Sequence, residues 1–152
     1  MARLSFVAFL ALAFFSGAAS AAPQSGGVHA ESDRAFTGCG GTGGIISVTD
    51  YPNNPGPGEQ WSITVVASTP QIIEDGSTIN ARYDGSTDQT TFNLCDLTSC
   101  PVQKGQYSFS YTVVFPMEYD PKHGVSLQTK GYTPSSEELF CFDFFAIEPS
   151  EQ

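Results

Sequence analysis

Basic side chains are scarce in this chain of 152 residues, which has six lysines and arginines against 16 aspartates and glutamates. The resulting net charge of −10 at pH 7 would repel nucleic-acid phosphates, so we exclude nucleic acid as a partner. The same charge opposes binding to strongly anionic membranes. Its simplest role is to keep the protein soluble.

Motifs for catalysis and for metal binding are lacking as well. The sequence contains no G-x-S-x-G, no EF-hand spacing and no C-x-x-C, and its two histidines, His29 and His123, are isolated. The acidic pairs Glu74–Asp75 and Glu137–Glu138 are adjacent in sequence, so on a strand their side chains point to opposite faces. We therefore expect no enzyme, no cofactor and no metal site.

Long hydrophobic runs are confined to the N-terminus. Leu4–Phe15 is nearly all apolar, follows Arg3 and precedes the small residues Ala19–Ala21. This arrangement is typical of a signal peptide, and the run is shorter than the roughly 20 residues of a membrane span. We interpret residues 1–21 as a signal peptide and 22–37 as a flexible lead. The mature chain is expected to be secreted or delivered to an endolysosomal or vacuolar lumen.

Short alternating segments separated by Gly, Pro, Asn and Asp make up the rest of the chain, and no segment has a helical period of ten residues. The predicted strands are Ile45–Thr49, Gln60–Ser68, part of Gln71–Tyr83, Thr90–Leu94, Tyr107–Phe115, His123–Tyr132 and Leu139–Ile147. About seven short antiparallel strands, each with one apolar face, predict an all-β, immunoglobulin-like β-sandwich over residues 38–148.

Four cysteines follow the signal peptide. An even number in a secreted chain indicates two disulfides, for which three pairings are possible. We favour Cys95–Cys100, which closes a tight loop, and Cys39–Cys141, which joins the first strand to the last. Zinc binding is the competing use, and the absence of C-x-x-C spacing weakens it.

Aromatic residues are abundant, with twelve phenylalanines, six tyrosines and one tryptophan. Those outside the signal peptide concentrate in the predicted strands Tyr107–Phe115 and Leu139–Ile147. An ordinary aromatic core is the simpler interpretation of this pattern, and a ligand cavity between the sheets is the alternative. Composition alone does not decide between them.

Three segments of the C-terminal half carry a family resemblance: Cys100–Phe109 (CPVQKGQYSF), Phe115–Tyr119 (FPMEY) and Leu139–Phe144 (LFCFDF). In this order and spacing they resemble the ML lipid-recognition family, whose members include the Niemann–Pick type C sterol carrier and fungal phosphatidylglycerol/phosphatidylinositol transfer proteins. The resemblance implies two sheets splayed to admit one lipid, and the same two disulfides. A further cysteine pair found in many members, closing the early hairpin, is absent here.

The resemblance also implies a lipid site. Its mouth would lie just after Pro116, at Met117 and Tyr119. Its walls would be the inward-facing residues of three strands, namely Trp61, Ile63, Val65, Phe109, Tyr111, Val113, Phe115, Phe142 and Phe144. Such a pocket needs apolar walls and one or two polar groups, for which Arg82 and Lys104 are the basic candidates at the rim.

The leading hypothesis is a secreted, monomeric carrier that encloses one sterol or phospholipid. It would contact membranes transiently and deliver its lipid to another membrane or to an unidentified protein acceptor. One alternative is a recognition protein that presents a lipid to a receptor. Another is a structural sandwich whose core is filled, because a fold does not determine a function.

Overall fold

The computed structural model describes residues 32–33, 36–119 and 124–147; the predicted signal peptide and His123 lie outside these ranges. The described residues form nine strands and one short helix. In chain order these are β1 Ser32–Asp33, β2 Phe36–Gly40, β3 Gly44–Tyr51, β4 Gln60–Thr69, β5 Thr78–Tyr83, β6 Thr90–Asn93, α1 Leu94–Leu97, β7 Gly105–Val114, β8 Val125–Tyr132 and β9 Glu138–Ile147. No helix in this part of the chain is long and apolar enough to cross a bilayer.

The strands form two antiparallel sheets. The four-stranded sheet has the order β1-β3-β4-β7, and the five-stranded sheet has the order β2-β9-β8-β5-β6. The predicted all-β sandwich is therefore confirmed. Strands β1 and β7 form the edges of the first sheet, and β2 and β6 form the edges of the second.

Strand pairing begins before the predicted domain boundary at residue 38. Ser32–Asp33 pairs with Thr49 and Asp50 of β3, and Phe36–Thr37 pairs with Asp143 and Phe144 of β9. Part of the predicted lead, 22–37, therefore belongs to the two sheets. The sequence signal is weak because these strand residues are few and, apart from Phe36, small or polar.

Strand β4 shows how the alternation in sequence builds the interior. Trp61, Ile63, Val65 and Ala67 are all fully buried, and the residues between them face outward. The register with β7 sets these side chains beside a second apolar row, in the pairs Trp61↔Val113, Ile63↔Tyr111 and Val65↔Phe109. On the outer face, hydroxyls bond across the same two strands, as in Thr64 Oγ1 and Ser110 Oγ at 2.8 Å.

The two sheets touch through aromatic rings. Trp61 of β4 stacks on Phe144 of β9 with ring centroids 5.3 Å apart, and Phe109 of β7 stacks on Phe140 of β9 at 5.5 Å. Both distances lie in the range of favourable aromatic pairs. In the part of the chain that the structure describes, the middle of the sandwich is thus a packed aromatic core.

A hydrogen bond between two buried side chains crosses this core. The hydroxyls of Tyr111 in β7 and Thr129 in β8 are 2.6 Å apart and both residues are buried. Burial raises the pKa of Tyr111 well above its usual range, although the bond to Thr129 acts in the opposite direction. The phenol therefore stays protonated and each hydroxyl has a partner.

Two disulfides link Cys39 to Cys141 and Cys95 to Cys100, which confirms both predicted pairings and uses all four cysteines. The first joins β2 to β9. The second closes the loop that follows α1, whose first turn is capped by the Asn93 side chain accepting from the Cys95 N–H at 2.9 Å.

The glycine-rich segment before β3 carries the chain from one sheet to the other. Gly41 has a φ of +99°, and a Cβ there would overlap the backbone of Phe140. Two residues on, the Gly43 N–H donates to the Leu139 carbonyl at 2.7 Å. Glycine is required because the crossing chain lies directly against the backbone of β9.

The two disulfides should contribute unequally to stability. The Cys39–Cys141 link closes 102 residues of chain and Cys95–Cys100 closes five. On the chain-entropy model, replacing the long link by alanines costs about 4–5 kcal/mol and replacing the short one about 2 kcal/mol. Urea unfolding followed by Trp61 fluorescence measures the free energy of unfolding of both variants. Equal losses in the two variants would contradict the chain-entropy account.

The Tyr111–Thr129 bond can be tested by a double-mutant cycle. Tyr111→Phe leaves the Thr129 hydroxyl buried without its partner, and we expect a loss of about 1–3 kcal/mol in the free energy of unfolding. Adding Thr129→Val should recover part of that loss, because both polar groups are then absent. Strictly additive losses in urea unfolding would show that the two hydroxyls do not act as a pair.

Candidate functional site

An open cleft of about 850 Å³ lies at one end of the sandwich. It forms where β7 ends, β5 ends and β8 begins, together with the loops that leave these strands. The pairing of Tyr83 with Leu127 fixes the ends of β5 and β8 relative to each other. The volume of the cleft falls within the range of roughly 300–1,000 Å³ that is typical of small-molecule pockets.

The floor of the cleft is apolar. It consists of buried side chains from the inner faces of three strands and from the residue after β7, namely Ala81, Val113, Phe115, Val125 and Leu127. A floor of this kind excludes water without offering a charged partner. It suits a hydrocarbon surface better than a polar solute.

The rim of the cleft is apolar and exposed. Of the seven large hydrophobic side chains that are exposed among the described residues, four belong to this rim: Val114, Met117, Tyr119 and Phe145. Met117 is 72% exposed and Val114 is 59% exposed. Apolar groups clustered around a cleft mark an interaction site more clearly than scattered ones do.

The charged side chains that line the cleft are acidic. Asp84, Asp88 and Glu118 lie around its mouth, and the lining residues in the described ranges include no lysine or arginine. Arg82, a predicted rim residue, faces outward on β5 and its Nη2 donates to Gln128 Oε1 at 3.5 Å. Lys104 precedes β7 and thus lies at the opposite end of that strand.

Phe115 separates the cleft from the aromatic core. Its ring packs edge-on against Trp61 at 5.9 Å, Tyr83 at 6.4 Å and Tyr119 at 5.6 Å, measured between centroids. Behind it, Trp61 Nε1 donates to the buried Asp50 Oδ2 at 3.0 Å. A ligand that reaches beyond the cleft must therefore displace Phe115.

Tyr83 reaches across the cleft from one sheet to the other. Its hydroxyl donates to the Val114 carbonyl at 3.0 Å, and this bond joins β5 of one sheet to β7 of the other. Burial raises the pKa of Tyr83 well above its usual range, so the phenol remains a neutral donor at physiological pH.

The predicted site residues divide into two groups. Val113, Phe115, Met117 and Tyr119 line the cleft. The other seven lie in the packed core between the sheets, namely Trp61, Ile63, Val65, Phe109, Tyr111, Phe142 and Phe144. The structure thus brings the residues of the predicted mouth together at the cleft and buries most of the predicted wall residues in the core.

Sequence reasoning missed the residues that β5, β8 and β9 contribute to the cleft: Ala81, Tyr83, Val125, Leu127 and Phe145. The alternation around Val125 and Leu127 marks an apolar face, but it does not say that this face meets the end of β7. Among the described residues, no three His, Cys, Asp or Glu side chains come together as possible ligands of a metal ion.

Comparison with known proteins identifies the family. The model of the ML domain family matches residues 35–147. Two proteins named phosphatidylglycerol/phosphatidylinositol transfer protein, from two strains of Cryptococcus neoformans var. neoformans serotype D, are each 30% identical over 142 residues, covering 85% of this chain and 78% of theirs.

A solved structure shares the fold. The Niemann-Pick type C2 protein from the Japanese carpenter ant superposes with a TM-score of 0.56 at 13% identity, covering 73% of this chain and 96% of that protein. The two Cryptococcus relatives are named as lipid-transfer proteins and not as enzymes. The chain thus belongs to the ML domain family of lipid-binding and lipid-transfer proteins.

Proposed function

We propose that this protein is an extracytoplasmic carrier that takes up one sterol or phospholipid at the cleft and releases it to another membrane or to a protein acceptor. The observation that carries the proposal is the cleft itself, because its apolar floor adjoins an exposed apolar rim. Secretion after removal of residues 1–21 and a monomeric state are part of the same proposal.

Burial of hydrocarbon supplies the affinity in this scheme. Each Å² of apolar ligand surface removed from water contributes about 25 cal/mol, so a sterol ring system or an acyl chain needs no charged partner. Val113 and Phe115 of the floor would contact the lipid first. The predicted wall residues deeper in the core would contact it only after the aromatic rings separate.

The headgroup would remain at the mouth of the cleft. The names of the Cryptococcus relatives support a phospholipid ligand. The acidic residues Asp84, Asp88 and Glu118 support an uncharged or zwitterionic polar group over an anionic one, because like charges repel at close range. Identification of the bound lipid would show whether its headgroup is anionic, as in the lipids named for the relatives, or uncharged or zwitterionic, as the acidic mouth favours.

The exposed rim would serve as the membrane contact. Val114, Met117, Tyr119 and Phe145 can enter the interfacial region of a bilayer, while the acidic residues around the same mouth limit lasting attachment to anionic lipid. A transient contact of this kind suits a protein that must leave the membrane with its lipid.

The first test is native mass spectrometry of the purified mature protein, with organic extraction of anything bound. We expect one lipid per chain and a monomer. Trp61 is the single tryptophan of the sequence and packs against Phe115, so its fluorescence should change when a fluorescent sterol or a brominated phospholipid is taken up. An empty protein that takes up neither lipid from vesicles would support the filled, structural sandwich instead.

The rim is tested by replacing Met117 with aspartate. This change puts a charge where the apolar rim meets the bilayer, and transfer between vesicles should slow by about tenfold or more. Ile46→Asp is the matched control, because Ile46 is also exposed, at 51%, but does not line the cleft. Equal rates for the two variants in a fluorescent-lipid transfer assay would show that the rim is not the contact.

A further inference from the structure

We infer that Tyr83 acts as a latch across the mouth of the lipid cleft. In the closed form its hydroxyl bonds to the Val114 carbonyl and ties the two sheets together, and this bond breaks when a lipid enters or leaves. This inference rests on the proposed function and names a residue that controls exchange at the same site. The evidence is the position of the Tyr83–Val114 bond, the backbone group that it uses and the rings beside it.

The acceptor lies on the unpaired edge of β7. The Phe115 N–H donates to the Glu59 carbonyl at 2.8 Å, and the Phe115 carbonyl accepts from the Gly58 N–H at 3.0 Å. Both backbone groups of Phe115 therefore face the β4 side of the sheet. Because these groups alternate along a strand, the backbone groups of Val114 face the open edge, where none of the described residues forms a neighbouring strand.

Tyr83 reaches that edge from the other sheet. It is the last residue of β5 and has the same inward orientation as Ile79 and Ala81, so its side chain spans the gap between the sheets. The hydrogen bond of 3.0 Å from the Tyr83 hydroxyl to the Val114 carbonyl therefore links β5 directly to β7.

The same side chain controls the aromatic floor. The Tyr83 ring packs edge-on against Phe115, and Phe115 in turn covers Trp61. Movement of Tyr83 away from Val114 would give Phe115 room to turn, and this opens a path from the cleft towards the core. Closing the latch restores both contacts.

A single neutral hydrogen bond suits a latch because its net contribution is modest. It shifts the balance between closed and open forms by about threefold to tenfold, which is enough to slow exchange but not to prevent it. A charged pair at this position would be harder to break inside an apolar cleft.

The test is Tyr83→Phe, which keeps the ring and removes the hydroxyl. Tyr132→Phe is the matched control, because Tyr132 ends β8 at the opposite end of the same sheet. The probes are dehydroergosterol, read by energy transfer from Trp61, and a pyrene-labelled phosphatidylcholine in neutral vesicles. Stopped-flow mixing gives the uptake and release rates, and titration gives Kd.

We expect Tyr83→Phe to accelerate uptake and release together by about threefold to tenfold, with Kd changed less than twofold. Tyr132→Phe should match the wild type. Wild-type rates in Tyr83→Phe would overturn the latch while leaving the carrier function in place. A weaker Kd at unchanged uptake rate would also overturn it, since Tyr83 would then be a contact for the bound lipid.

A second measurement needs no lipid. Acrylamide quenching of Trp61 reports how often Phe115 moves aside, and it should be stronger in Tyr83→Phe than in the wild type or in Tyr132→Phe. Identical quenching in all three proteins would overturn the latch. If the wild type takes up neither probe, the carrier function fails, and the quenching result alone decides whether Tyr83 closes the mouth.

Discussion

The contact between β9 and the opposite sheet is the constraint on which the rest of this structure depends. Phe140 and Phe144 stack on Phe109 and Trp61, and these pairs set the distance between the two sheets. With the rings in contact, no hydrocarbon chain fits in the middle of the sandwich. Open space is consequently displaced to the end where β7 stops and the loops diverge.

This arrangement divides the molecule into a rigid middle and an adaptable end. The middle is held by stacked rings, by the Tyr111–Thr129 bond and by the Cys39–Cys141 disulfide. The end is held by the Tyr83–Val114 bond and by edge-on contacts around Phe115. Binding and release need low-stability elements, and a protein that keeps them apart from its core can exchange a ligand without unfolding.

The sequence predicts the sheets better than the site. Alternation in Tyr107–Phe115 identifies β7 and its buried face, because burial on one side of a strand leaves a period of two. The same alternation cannot reveal how far that face stands from the opposite sheet. In the sequence pattern, the position of Phe142 is therefore equally consistent with a cavity wall and with a packed core. Tyr83 is beyond prediction for a related reason: its partner is a backbone carbonyl of a distant strand, which carries no side-chain signature.

The position of β9 has a consequence for how the protein is made. Cys39 and Cys141 are 102 residues apart, yet β2 and β9 are neighbours, and β9 lies inside the sheet between β2 and β8. A growing chain therefore completes the middle of its five-stranded sheet last. Until then Trp61 and Phe109 lack the rings of Phe144 and Phe140 that stack on them from the opposite sheet, and the unfinished apolar face invites chaperone binding or self-association. Biosynthesis must protect that face until the C-terminal strand arrives.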